Sequence, residues 1–149
     1  MKVDKLLKLE VVTVTPDVSV KTAHRLMLKR GIRHLPVVSG GKLAGIVSDR
    51  DILLTIGRGA RGFVYPPLAV GQIMSLAPIS AGPNAPVAEI AKAMVESKLD
   101  AIPILTAQNV LVGLVTSTDL MLLLTELPKT AQPALSFQLR RATDLGAQA

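Results

Sequence analysis

The chain carries one pattern twice. The stretch from Val12 to Val38 recurs as Ile79 to Leu105, so that Pro16, Val20, Met27 and Pro36 meet Pro83, Val87, Met94 and Pro103. After one inserted residue, Gly45-Ile46-Val47-Ser48-Asp49-Arg50-Asp51 meets Gly113-Leu114-Val115-Thr116-Ser117-Thr118-Asp119. Few matched positions are identical, but nearly all keep their apolar or polar character. Such a recurrence fixes architecture before any single motif is weighed. It predicts two similar units, each too small to bury a core alone, packed about a pseudo-twofold axis.

Composition narrows what fills those units. Hydrophobic residues make up 49% of the 149 and aromatics only 2%, so the core is aliphatic. No apolar run approaches the roughly 18–20 residues needed to span a bilayer; Leu120 to Leu124 is far too short. The N-terminal stretch, with Lys2, Asp4, Lys5 and Lys8, has no continuous apolar segment of the secretory kind. The expectation is a cytoplasmic protein without membrane insertion. With no cysteine and only His24 and His34, thiolate sites and zinc are disfavoured. The net charge of +6 invites nucleic acid, yet almost no aromatic is available to stack bases and no nucleic-acid-binding signature is present. Nucleic acid is therefore not an expected partner.

Each copy reads as strand, helix, strand, strand, short helix, a mixed α/β pattern. In the first copy Val11 to Val14 is β-rich. Ser19 is placed to cap a helix whose apolar face is Val20, Ala23 and Met27, with Gly31 as its stop. Leu35–Val38 and Leu43–Val47, joined by Gly40-Gly41, predict an antiparallel hairpin. A short helix from about Asp49 to Ile56 ends the copy. In the second copy the helix shows Val87, Ile90, Ala91, Met94 and Val95, and the hairpin joins Ile102–Leu105 to Val110–Val115 through Ala107-Gln108-Asn109. Pro36 and Pro103 sit early in their strands, where a missing N–H is tolerated. Gly57 to Leu68 reads as an exposed linker, and His24 as a surface residue. Ala69 to Met74 and Val3 to Leu7 read as matching lead-ins. The last helix, from Leu120 to Leu127, has almost no polar face, so it predicts burial against a second subunit.

The sharpest local pattern is Gly-apolar-Val-[Ser/Thr]-x-x-Asp, at Gly45–Asp51 and Gly113–Asp119. Ser48 with Asp51, and Thr116 with Asp119, fit a capping box, which alone accounts for the hydroxyl and the acid. A ligand reading adds a glycine where something approaches closely, free N–H groups at a helix start, and a carboxylate suited to a ribose diol. Two matched boxes within a repeat strengthen that reading.

On these residues, with Val12-Thr13-Val14-Thr15-Pro16-Asp17, Met27, Ile32-Arg33-His34-Leu35-Pro36-Val37-Val38 and the lead-in ending at Met74, the chain resembles a tandem pair of cystathionine β-synthase (CBS) domains, a Bateman module. The resemblance covers about residues 1–125. It implies an α+β fold of two β-α-β-β-α repeats packed through their sheets about a pseudo-twofold axis. It also implies no catalysis and no required cofactor, but binding of AMP, ADP, ATP or S-adenosylmethionine. Each cleft would take strand residues from one repeat and the box from the other. Site one would join Ile32, Arg33 and His34 to Leu114, Thr116, Thr118 and Asp119. Site two would join Leu99, Asp100 and Ala101 to Ile46, Ser48, Arg50 and Asp51. By the same resemblance Asp119 and Asp51 take the ribose hydroxyls, Thr116 and Ser48 lie near phosphate, and Ile32, Leu114, Leu99 and Ile46 flank adenine.

The copies differ at one informative place. Asp100 stands where the first copy has Arg33, which ranks site one as the better phosphate site. His34 reads either as a phosphate partner or as a half-exposed strand residue. The expected layout is repeat 1 with its lead-in over 1–62, linker and repeat 2 over 63–127, and a tail over 128–149, loosely ordered or docked on a dimer mate. The leading functional expectation is an adenosine-ligand sensor, a homodimer that signals to an unidentified effector protein. The alternative is a structural dimerisation module with vestigial nucleotide sites.

Overall fold

The computed structural model describes Met1 and residues 10–128. The first lead-in and the tail, apart from Pro128, lie outside the described residues. The architecture is mixed α/β, with small antiparallel sheets and four α-helices.

Helix α1 (Val20–Arg30) begins where Ser19 accepts the Thr22 N–H at 3.0 Å. It ends at Gly31, whose φ of 63° is a left-handed turn that glycine adopts without strain. Its buried face is Val20, Ala23, His24 and Met27. Strands β1 (His34–Ser39) and β2 (Lys42–Ser48) form the first hairpin, turned by Gly40 and Gly41 with φ of 56° and 75°. Helix α2 (Asp49–Leu53) is shorter than the sequence predicts, because Ile52 closes the last turn by accepting the Thr55 N–H.

The second repeat follows the same plan with α3 (Val87–Ser97), β6 (Ala101–Leu105), β7 (Leu111–Thr116) and α4 (Ser117–Glu126). Its lead-in is a short 3₁₀ turn at Val70–Gln72. The expected first strands shrink to single parallel bridges, Val14 to Val37 and Ala81 to Ile104. In both repeats the buried proline supplies its carbonyl to this incoming segment, Pro36 to the Val14 N–H at 3.1 Å and Pro103 to the Ala81 N–H at 3.0 Å.

The segment expected to be an exposed linker is exposed from Gly57 to Val64, and it also contains a second hairpin, β3 (Gly57–Gly59) with β4 (Gly62–Val64). It is anchored by aromatics. His24 is buried, not on the surface, and shares a hydrogen bond with the Tyr65 hydroxyl at 2.7 Å. Phe63 meets the His24 ring edge-on at 5.5 Å between centroids. Periodicity alone could not reveal this, since the partner lies 41 residues away.

The repeats also bury separate cores instead of one shared core. One cluster gathers Val14, Val20, Met27, Leu35, Val37, Val47, Ile52 and Val70. The other gathers Ile90, Met94, Ile102, Ile104 and Val115. Each fully buried aliphatic side chain contributes about 1.5–3 kcal/mol. The first core also takes Val70 from the second repeat's lead-in, with Leu68, Ile73 and Met74 packed against it, so that entry segment completes the cover of the first repeat.

Between the repeats, strand β5 (Ser75–Leu76) pairs with β2, placing Gly45 opposite Leu76 and Ile46 opposite Ser75. Here the role expected for Gly45 is corrected. What approaches it is the chain itself, because a Cβ there would lie 2.6 Å from the Ser75 carbonyl oxygen and 2.8 Å from Met74 Sδ. Since the nearest obstruction is backbone, Gly45→Ala is expected to destabilise the protein by about 1–3 kcal/mol in urea unfolding. A Gly45→Ala midpoint equal to the parent's would refute the close approach.

Candidate functional site

Both boxes form as capping boxes. The Ser48 N–H donates to Asp51 Oδ2 at 2.8 Å and the Asp51 N–H to Ser48 Oγ at 3.1 Å. In the second repeat the Thr116 N–H donates to Asp119 Oδ2 at 2.8 Å, the Thr116 hydroxyl to the same oxygen at 2.7 Å, and the Asp119 N–H to Thr116 Oγ1 at 3.2 Å. The boxes thus have a structural role, and they also orient both carboxylates. Each helix start is tied to its own β-hairpin, as the Asp49 N–H reaches the Arg33 carbonyl and the Ser117 N–H the Asp100 carbonyl, both at 2.9 Å.

Two clefts open between the repeats. The first is walled by Glu10, Val11, Val12, Gly31, Ile32, Arg33 and His34 on one side, and by Asp100, Leu114, Thr116, Thr118, Asp119 and Leu122 on the other. Every residue expected for site one is there. The second cleft joins Ile46, Ser48, Asp49, Arg50, Asp51 and Ser75 to Lys98, Leu99, Asp100 and Ala101, with Arg33 and His34 at its edge. Every residue expected for site two is there. Their volumes, about 220 and 240 Å³, are nearly equal, so lining and charge distinguish them.

The charge contrast drawn from Arg33 against Asp100 does not survive the geometry. Arg33, His34 and Asp100 line both clefts. What differs is the rest. The first cleft adds Glu10 and Asp119 with no further Lys or Arg, beside an apolar wall of Val11, Val12, Ile32, Leu114 and Leu122. The second adds Arg50 and Lys98 against Asp49 and Asp51. The premise of the ranking expected from sequence is thereby lost, and the second cleft carries more cations than the first.

Lys98 is the residue that sequence reasoning missed. It ends α3 where Gly31 ends α1, and it holds a left-handed φ of 53°. A lysine where the matched position has glycine was the available signal. Glu10 gave no signal at all, since it precedes the repeated stretch.

His34 is half-buried. Burial, more than any neighbouring charge, holds its imidazole below the ordinary value, while Asp100 and Asp49 pull upward. The unfolded chain therefore binds the proton more readily than the folded one. Stability from the neutral imidazole is complete above about pH 6.5 and is lost as pH falls through the folded-state value. We expect His34→Asn to flatten this acid-side decline in chemical denaturation between neutral pH and pH 5. Curves that stay parallel would remove the role assigned to burial.

Comparison with known proteins bears on the family and the fold. The family model for the CBS domain matches residues 3–58 and 70–126. The chain is 38% identical over 110 residues to inosine-5′-monophosphate dehydrogenase of Korarchaeum cryptofilum, covering 74% of this chain but only 21% of that enzyme. It is 33% identical over 111 residues to the CBS domain-containing protein YhcV of Bacillus subtilis, covering 74% and 76% respectively. Among solved structures, the CBS domain pair of protein MJ0100 in complex with 5′-methylthioadenosine and S-adenosyl-L-methionine superposes with a TM-score of 0.72 at 27% identity, covering 84% of this chain and 96% of that one. The structure of CBSX2 in complex with AMP gives 0.72 at 21% identity, over 84% and 96%, a likeness of fold.

Proposed function

The chain belongs to the CBS domain family, and on that footing we propose that it is a non-catalytic regulatory module for an adenosine-type ligand. The ligand enters the clefts between the repeats, and its occupancy is passed to a partner protein in the cytoplasm. The observation that carries the reading is the convergence of each capping-box carboxylate with the strand residues of the opposite repeat in one cleft. The complex of the MJ0100 domain pair with two adenosine derivatives supports the ligand class.

The roles follow the linings. In the first cleft Ile32 and Leu114 flank adenine, Asp119 accepts from the ribose diol, and the apolar wall suits a ligand of low negative charge, such as an adenosyl thioether or sulfonium. In the second, Leu99 and Ile46 flank adenine, Asp51 accepts from the ribose, and Arg50 with Lys98 holds phosphate. Thr116, Thr118 and Ser48 contribute hydroxyls, while Arg33, His34 and Asp100 stand between the clefts. A ligand bridging both repeats biases their relative placement, by at most its differential affinity for the two shapes.

Calorimetric titration tests the assignment. Lys98→Gly should weaken AMP or ATP about tenfold through loss of a charged partner, while stabilising the fold by about 1 kcal/mol because a left-handed lysine is replaced by glycine. Asp119→Asn should weaken S-adenosylmethionine and spare AMP. No measurable heat with AMP, ADP, ATP or S-adenosylmethionine would favour the alternative, a dimerisation module whose boxes only cap helices.

The assembly proposed is a homodimer. Helices α2 and α4 occupy matched places in the two repeats, and both leave apolar side chains outside. Leu53 and Leu54 are exposed on or just after α2, and Met121, Leu122 and Leu124 on α4, with Leu54 at 82%. Paired across a twofold, these residues would supply the burial that an apolar helix requires. The double variant Leu54→Glu with Met121→Glu is expected to be monomeric by light scattering. A variant that keeps the parent's mass would place the interface elsewhere.

A further inference from the structure

One surface is used neither by the clefts nor by the apolar helices. On α1, Lys21, Arg25, Leu28 and Lys29 fall within an arc of about 100°, and all four are exposed, Leu28 at 66%. Neither α1 nor the hairpin from Gly57 to Val64 contains an acidic residue, whereas the hairpin adds Arg58 and Arg61. The hairpin sits against α1 through Phe63 and Tyr65 on His24. Arg58 is directly opposite Phe63 in the ladder, so it shares the face turned toward the helix. Among the described residues, none of Lys21, Arg25, Lys29, Arg30, Arg58 and Arg61 is in an ion pair.

The second repeat supplies an internal control. At the places matching Lys21, Arg25, Leu28 and Lys29, α3 carries Ala88, Lys92, Val95 and Glu96. There Lys92 pairs with Glu96 at 3.7 Å, and the face neutralises itself. The fold thus does not require an unpaired basic helix at this position. Like charges along a helix face and across to a docked hairpin oppose folding, a cost that salt screens and that an acidic partner would turn into a gain.

We infer that the outer face of α1 together with the β3–β4 hairpin docks an acidic protein segment with interspersed apolar side chains. Its carboxylates would pair with the lysines and arginines, and its apolar side chains would cover Leu28 and Phe63, which are 66% and 45% exposed. Phosphate backbones fit this surface less well. The apolar residues Leu28 and Phe63 interrupt the cations. A bilayer fits less well too, because the apolar face of α1 is committed to the core through Val20, Ala23 and Met27. The surface is independent of the ligand reading, so either can fail alone.

The test is fluorescence anisotropy of the full chain with a labelled peptide of glutamates and leucines at helical spacing. Its counterpart with glutamine for each glutamate, a short DNA duplex and phosphatidylserine vesicles complete the series. The acidic peptide should bind best, weaken as salt rises, and lose about tenfold or more in the triple variant Lys21→Gln, Arg25→Gln, Lys29→Gln, at a few tenths to one kcal/mol per pair. Lys92→Gln should leave it unchanged, and Leu28→Ser should weaken it at constant charge. These sites are exposed, and circular dichroism confirms that each variant is folded. Equal binding of the glutamine peptide, no effect of the triple variant, or tighter binding of the duplex or the vesicles would overturn the proposal.

Discussion

Two main-chain hydrogen bonds hold the clefts in register. The Asp49 N–H is fixed to the Arg33 carbonyl, and the Ser117 N–H to the Asp100 carbonyl. Each joins the first residue of a box-bearing helix to the residue or residues leading into its own hairpin. Arg33 and Asp100, the two acceptors, are also residues that line both clefts. The positions of the boxes, the strand edges and the central charges therefore depend on one repeated backbone contact. It is a main-chain contact open to any residue but a donor proline, which is why the two repeats can differ so freely around it.

A second brace keeps the repeats together. Strand β5, on the way into the second repeat, pairs with β2 of the first, and Gly45 is the position that admits it. At the far end of the hairpins the Leu43 N–H reaches the Asn109 carbonyl and the Asn109 side chain returns to the Leu43 carbonyl, both at 3.2 Å. Away from the lead-in, whose Val70 is buried in the first core, the repeats meet through the β2–β5 pairing and the Leu43–Asn109 contacts. Such an interface can shift slightly without opening either core, which is what a ligand bridging it would exploit.

Much of this was legible from local chemistry. Ser19, Gly31, Gly40-Gly41 and both capping boxes act within a few residues of themselves, so sequence spacing predicts them well. The prolines at 36 and 103 were legible as strand residues, but not as the carbonyls that receive the incoming segment. His24 was misread as surface because helical periodicity reports only α1, and the group covering it arrives from a hairpin 41 residues on. The hairpin within the linker went unseen because its strands are three residues each, too short to show alternation.

The duplicated plan, the order of helices and hairpins and the chemistry gathered in each box could be read from the chain alone, because those follow from contacts between near neighbours. Its pairing of the strand residues of one repeat with the box of the other came through family resemblance, since no spacing rule reaches that far. Which charges face which cleft depends on how the chain folds in three dimensions. Arg33, His34 and Asp100 lie between the clefts, and Lys98 and Glu10 join them from opposite sides. The reason is that electrostatics depends on distance through space, and the fold brings together groups that the chain holds far apart.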